Sequence, residues 1–404
     1  MSAVEDLVTD RHSRSRLAGY DPMLLAKAAV LVVGAGALGQ NLAQNLALAG
    51  VGTIEIADHD TFEDHNRTRS PCYPTAQEQA AWGLGKAEVV ARKVRPLMAA
   101  DRPAVRWAAL RVQEGGDALI ERADVVCSAV DNAETRHYLS DRCRIHGRPF
   151  VEGGFEGPRV NLSVFSADPS QPCFRCLVPS RAGVFSCDRY ALAAEAQRIV
   201  PAIQNGAATL AAIQAEQAIE TLHGRSGLVG RRLFLDIRTF RCRAITLSLD
   251  PDCDGIHWPA GEHVETGLDP SATMAQLATA VLAGLGECEL ILPEQFVVRI
   301  PCTGCHALTE AMTPAWRWEV DPRCERCGGP FPPSPAGGGP FGYSRLLVHH
   351  LDEWDAIGGL TLRHLGLGDQ AAIEAEILTD GRRAVVRLTG AASVNTAEEP
   401  VIPG

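Results

Sequence analysis

Three cysteine pairs, each with two intervening residues, are the first groups in the chain able to do defined chemistry: Cys173 and Cys176, Cys302 and Cys305, and Cys324 and Cys327. The second and third pairs are 18 residues apart. Four thiolates at that spacing close a tetrahedral zinc site of the ribbon type, with no coordination position left open for catalysis. A second group begins earlier. The loop "GAGALG" at 34–39 is followed by "DHDTFEDHNRTRS", which supplies Asp58, Asp60, Asn66, Arg67 and Arg69, and then by Lys86 in "GLGK". Guanidinium forks and a lysine point charge suit phosphate oxygens, and a carboxylate in such a place suits ribose hydroxyls. A third stretch, "DVVCSAVDNAETR", puts Asp131 and Asn132 where an apolar run ends.

These groups need a scaffold. Between about 29 and 165, strands such as "AVLVV", "TIEIA" and "DVVCSAV" alternate with helical segments, which predicts an α/β fold: a doubly wound, Rossmann-like, mainly parallel sheet with helices on both faces. Gly34, Gly36 and Gly39 lie between the first strand and its helix, and Asp58 closes the second strand 24 positions after Gly34. Alone, this fingerprint reads as a site for NAD. The cations Arg69 and Lys86 fit a triphosphate better. Asp131 ends the strand that adjoins the first one in such sheets, facing the phosphates, where a carboxylate is repelled unless Mg2+ lies between. Asn132 and Asp131 are also ordinary residues for capping a helix. The pattern therefore points to ATP with Mg2+, and an NAD-dependent oxidoreductase is the alternative.

Taken in order, "RHSR", "GAGALG", "D-x-D" with "N-x-x-R", "G-x-x-K" and "D-N-x-x-x-R" resemble the ThiF/MoeB family of ubiquitin-activating-type adenylyltransferases, over roughly residues 8 to 257. The resemblance implies that Gly34, Gly36, Ala37 and Gly39 cradle the nucleotide and that Asp58 binds ribose, with Asp60 and Asn132 beside it. It implies phosphate contacts from Asn66, Arg69 and Lys86, a magnesium and catalytic role for Asp131, and an arginine, Arg14, inserted by a neighbouring subunit. Ala37 replaces a glycine usual in the family, and Arg67 has no counterpart role. Cys173 and Cys176 resemble half of the family's structural zinc site. The other half departs from its pattern: Cys253 is present, Ile256 stands where a cysteine is expected, and His257 or Cys242 is the candidate fourth ligand. The resemblance also implies Cys187 as a candidate acyl-accepting thiol, and a nearby Arg181 or Arg189 would favour its thiolate. The implied reaction is activation of a C-terminal carboxylate as an acyl adenylate. The implied partner is a small β-grasp ubiquitin-like or sulfur-carrier protein ending in Gly-Gly, and the implied assembly a homodimer. Peptide adenylation is an alternative substrate class, and a non-catalytic adaptor acting through the ribbon a third reading.

The bulk properties narrow the field. The 404 residues are 46% hydrophobic and carry a net charge of -11, so the chain offers no general basic field for nucleic acid or an anionic membrane. No run of about 20 apolar residues is present, and residues 1–28 read as a polar N-terminal arm or helix, which together predict a cytoplasmic protein. The adenylation domain is expected at 29–257, a helix plus zinc ribbon at 258–330, and a Gly/Pro linker with a small β-hairpin at 331–404, together a smaller α+β region.

Overall fold

The computed structural model describes residues 10–100, 103–179, 202–258, 262–314, 317, 323–331, 342–348, 351, 356–368 and 371–389. The chain divides into two compact units, one built mainly from residues 1–257 and the other mainly from 258–396.

The first unit is organised by an eight-stranded sheet. Its strands are β1 (Ala29–Val33), β2 (Thr53–Ala57), β3 (Ala104–Ala108), β4 (Val125–Ser128), β5 (Phe150–Glu156), β6 (Arg159–Phe165), β7 (Arg231–Asp236) and β8 (Arg241–Thr246). The order is β3-β2-β1-β4-β5-β6-β7-β8. From β3 to β5 neighbours pair in parallel, and β5 to β8 pair antiparallel. The α/β expectation is met.

Strand β1 reads as an unbroken apolar run because helices cover both of its faces. Val30 and Val32 pack into one cluster with Leu42, Leu46, Val90 and Leu210, from the helices Ala37–Ala49, Lys86–Val94 and Gln204–Leu222. Leu31 and Val33 pack into another with Ile120 and Leu139, from the helices Val112–Glu121 and Ala133–Ile145. Chain order reverses between β1 and β4, which opens a crevice at the carboxyl ends of those strands.

The second unit holds a mixed sheet in the order β11-β10-β13-β14-β9, with β12 also paired to β10. Its strands are β9 (Glu262–Glu265), β10 (Cys288–Pro301), β11 (Leu308–Pro314), β12 (Gly342–Leu347), β13 (Ala372–Ile377) and β14 (Arg383–Arg387). The helix Met274–Leu285 starts with a reciprocal capping pair, in which Thr273 Oγ1 accepts from the Gln276 N–H and Gln276 Oε1 accepts from the Thr273 N–H. It buries Met274, Leu277, Ala278 and Val281, a helical stripe, in the cluster that contains Leu290, Ile373 and Val386. The hairpin of β13 and β14 turns at Asp380 and Gly381 and is not free-standing, because β13 pairs with β10. Two strands alone are marginal in water, and the larger sheet supplies the missing apolar face.

Candidate active site

The glycine loop leaves β1 at Gly34, which adopts φ +97° and donates its N–H to the Ala57 carbonyl at 2.8 Å. A Cβ at Gly34 would lie 2.7 Å from the Ala129 carbonyl oxygen, and one at Gly39 only 1.8 Å from the Gly34 oxygen. These two glycines are needed by the fold itself. Gly36 is different, because a Cβ there would meet nothing within 4 Å. The room it leaves opens onto a cavity. Gly36 caps the helix Ala37–Ala49 without a side-chain hydrogen bond, so the first-turn amides remain for an anion at the positive end of the helix dipole. Ala37 opens that helix and lines the cavity.

Asp58, at the end of β2, holds the loop in place. Its Oδ2 accepts from the Ala35 N–H at 2.6 Å and its Oδ1 from the Asp60 N–H at 2.8 Å. The cations come from the next segment. Asn66, buried in the short 3-10 turn Asp64–Arg69, accepts from the Glu63 N–H at 2.9 Å, and Arg69 Nη1 donates to the His65 carbonyl at 2.9 Å. Arg67 turns to Asp64 at 2.8 Å and lies 4.6 Å over the Tyr73 ring, which gives it a structural role. Lys86 begins the helix Lys86–Val94 and pairs with Asp60 at 2.9 Å. Burial pushes the Asp60 carboxyl up, but the hydrogen bond and charge of Lys86 outweigh it and hold the group below its ordinary value.

Asp131 follows β4. These residues converge on one cavity of about 790 Å³, lined among others by Gly36, Asp58, Asp60, Asn66, Arg69, Lys86 and Asp131. That volume suits a nucleotide-sized ligand. Asn132 instead caps the helix Ala133–Ile145 by accepting from the Thr135 N–H at 2.8 Å, and it is not among the lining residues. A short polar side chain at that position satisfies the orphan amides of its own helix first.

The cavity also has walls that the sequence reading did not single out. Arg136 lines it, donating from Nη2 to the Val130 carbonyl at 2.7 Å, with Nη1 3.4 Å from the fully buried Glu152. Gly154, on β5, leaves clearance for that guanidinium. His65 and Ser70 also line the cavity. The sixth residue of "D-N-x-x-x-R" was the available signal for Arg136, and the glycine pair interrupting the strand "FVEGGF" for Gly153 and Gly154.

Both cysteine groupings are assembled. The ligand atoms of Cys173, Cys176, Cys253 and His257 lie within 4.8 Å of one another, as do those of Cys302, Cys305, Cys324 and Cys327. In the first set His257 Nδ1 lies 2.9 Å from the Pro169 carbonyl oxygen and 3.0 Å from Arg144 Nη1, and Nε2 lies 3.2 Å from Cys176 Sγ. Cys173 Sγ lies 3.6 Å from Cys253 Sγ, and that contact holds the Cys173 thiol well below its ordinary value against the effect of burial. Cys242 is exposed on β8 and outside the group. Two closed, sulfur-rich tetrads of this kind fit structural zinc. Arg14, on the short helix Ser13–Leu17, is exposed and does not line the cavity of its own chain. Cys187, Arg181 and Arg189 lie outside the described residues.

The fold is a doubly wound α/β sheet with a nucleotide-sized crevice where its strand order reverses, and the ThiF family profile matches residues 15–255: the chain belongs to the ThiF family. Among its relatives is the adenylyltransferase and sulfurtransferase MOCS3-2 of Zea mays, 32% identical over 57% of this chain and 45% of that protein. The mouse MOCS3 is 39% identical over 38% of this chain and 32% of its own length. The SAMP-activating enzyme E1 of Haloferax volcanii is 32% identical over 57% of this chain and 80% of that protein. The chain thus spans about half or less of the MOCS3 relatives but most of the archaeal one. The solved structure of E. coli MccB with MccA-N7isoASN shares the fold, with a TM-score of 0.52 and 18% identity over 63% of this chain and 76% of that one. Among the described residues no helix is long and apolar enough to cross a membrane.

Proposed function

We propose that the protein is an ATP-dependent adenylyltransferase that activates the C-terminal carboxylate of a small ubiquitin-like or sulfur-carrier protein. One observation carries the reading: the glycine loop, Arg69, Lys86 and Asp131 meet in a single cavity at the point where the sheet order reverses. The names of the plant, mouse and archaeal relatives support adenylyl transfer and an E1-type partner. Against an NAD reading stand the two cations and the second carboxylate, none of which a hydride donor needs.

A carboxylate oxygen attacks the α-phosphorus of ATP. The new O–P bond forms as the bond to the bridging oxygen breaks, and pyrophosphate leaves with the electron pair. The nucleophile is already ionised, so no general base is required. What remains is orientation and charge. The first-turn amides after Gly36 and the Asn66 amide position phosphate oxygens, while Arg69 and Lys86 neutralise charge that develops on the leaving group. Lys86 exchanges its Asp60 partner for phosphate, or shares itself between them. Asp58 keeps an accepting lone pair on each oxygen for the ribose hydroxyls. Mg2+ held by Asp131 would supply further neutralisation between that carboxylate and the phosphates. Arg14 is exposed and does not line the cavity of its own chain, and a homodimer in which it reaches the partner's site would account for it. Both zinc ions would staple structure and take no part in the reaction.

Equilibrium titration with Mg-ATP and with NAD in parallel tests the nucleotide. The expected result is Mg-ATP binding that Lys86→Ala weakens and no competition by NAD; the reverse preference refutes the reading.

A further inference from the structure

The helix that offers its N-terminus to the cavity carries, one turn further in, a glutamine with no solvent exposure. Gln40 Nε2 donates to the Ala35 carbonyl at 2.9 Å and to Ser70 Oγ at 3.3 Å, and its Oε1 accepts from the Cys72 N–H at 2.9 Å. On the same helix face Gln44 Nε2 reaches the sulfur of the buried Cys72 at 3.2 Å. Two amides at i and i+4 therefore clamp the segment Ser70–Cys72, which directly follows Arg69, against the glycine loop.

Packing does not ask for an amide at position 40. Methionine fills nearly the same volume, whereas a buried primary amide is costly unless its donors and acceptor are matched. Here all three groups are matched, and every partner belongs to a wall of the cavity or to its support. Ala35 is fixed on its N–H side by Asp58 and on its carbonyl side by Gln40. Ser70 lines the cavity beside Arg69.

We infer that Gln40 is a positioning residue for nucleotide binding: it sets the distance between the glycine loop and the segment bearing Arg69, so that both engage one triphosphate together. This rests on the proposed ATP reading. Mg-ATP affinity and thermal stability of the full chain, measured for Gln40→Met, Arg69→Ala and the double variant, test it. Gln40→Met is expected to weaken Mg-ATP about tenfold when Arg69 is present and less than about twofold in the Arg69→Ala background, because no guanidinium is left to misplace. Ser70→Ala, which removes one partner without touching the buried amide, is expected to weaken binding about threefold, again only with Arg69 present, and it serves if Gln40→Met does not fold. Equal losses in both backgrounds, or lowered stability with unchanged affinity, overturn the inference alone. A wild-type chain that does not bind Mg-ATP overturns the nucleotide reading and the inference with it.

Discussion

The Asp58 carboxylate accepts the Ala35 N–H at 2.6 Å, tying the end of β2 to the middle of the glycine loop. The carboxylate proposed to bind ribose thus also shapes the loop proposed to receive phosphate. Asp58→Ala should cost both functions. Loss of a charge-assisted hydrogen bond of this kind is expected to lower stability by about 1.5–3 kcal/mol, together with a marked loss of Mg-ATP affinity. Denaturant unfolding and nucleotide titration of the same variant separate the two effects, and a change confined to affinity would show that the loop does not depend on Asp58.

The three glycines of the loop should respond differently to a side chain. A Cβ at Gly39 collides with the Gly34 carbonyl, so Gly39→Ala should lose about 1–3 kcal/mol of stability or fail to fold. A Cβ at Gly36 meets no protein atom. Gly36→Val should therefore change stability by no more than about 0.5 kcal/mol while abolishing Mg-ATP binding, since the added methyl groups occupy the phosphate position. Thermal melts alongside titrations decide the point.

Elemental analysis of the purified chain should give two zinc ions. Cys302→Ser should remove one and His257→Ala should remove or weaken the other, while His257→Cys should retain both, because thiolate and imidazole are interchangeable at a tetrahedral site. A content unchanged by Cys302→Ser would dismiss the ribbon site.

Tyr20 gives a pH signature for the anchoring of the N-terminal segment. Burial, followed by its hydrogen bond to Glu216, pushes the phenol up to about 12. A phenol whose folded value exceeds its unfolded value of about 10 contributes stability that is complete below the unfolded value and is lost as pH rises through the folded one. Between about pH 10 and 12 the wild type should lose stability relative to Tyr20→Phe, which has no proton to lose; parallel alkaline limbs for the two proteins would contradict this.

What the sequence made legible was local or set by a repeated rule. Gly34, Gly36 and Gly39 lie at the strand-to-helix turn, and Asp131 follows the strand that a doubly wound sheet places beside β1, so their meeting could be anticipated. Cys302, Cys305, Cys324 and Cys327 announced themselves by spacing. Asn132 caps its own helix, accepting from the Thr135 N–H, as short polar side chains at that position do. The "D-N-x-x-x-R" spacing and the glycine pair marked Arg136 and Gly154, but their common position in the cavity depends on β5 pairing beside β4, a long-range choice that local spacing does not state. His257 rather than Cys242 stands beside Cys173, Cys176 and Cys253, since Cys242 lies exposed on β8 outside that group. The sheet of the second unit was illegible for the same reason as Arg136: β10 pairs with strands on both sides of the Gly/Pro stretch.

The central claim is carboxylate adenylation at the cavity. Its most direct test is ATP-pyrophosphate exchange catalysed by the full chain in the presence of Mg2+ and a ubiquitin-like protein ending in Gly-Gly. The account predicts exchange that requires the carrier's free C-terminal carboxylate and falls by about 100-fold or more in Asp131→Ala and in Lys86→Ala. Exchange that survives both substitutions would contradict it.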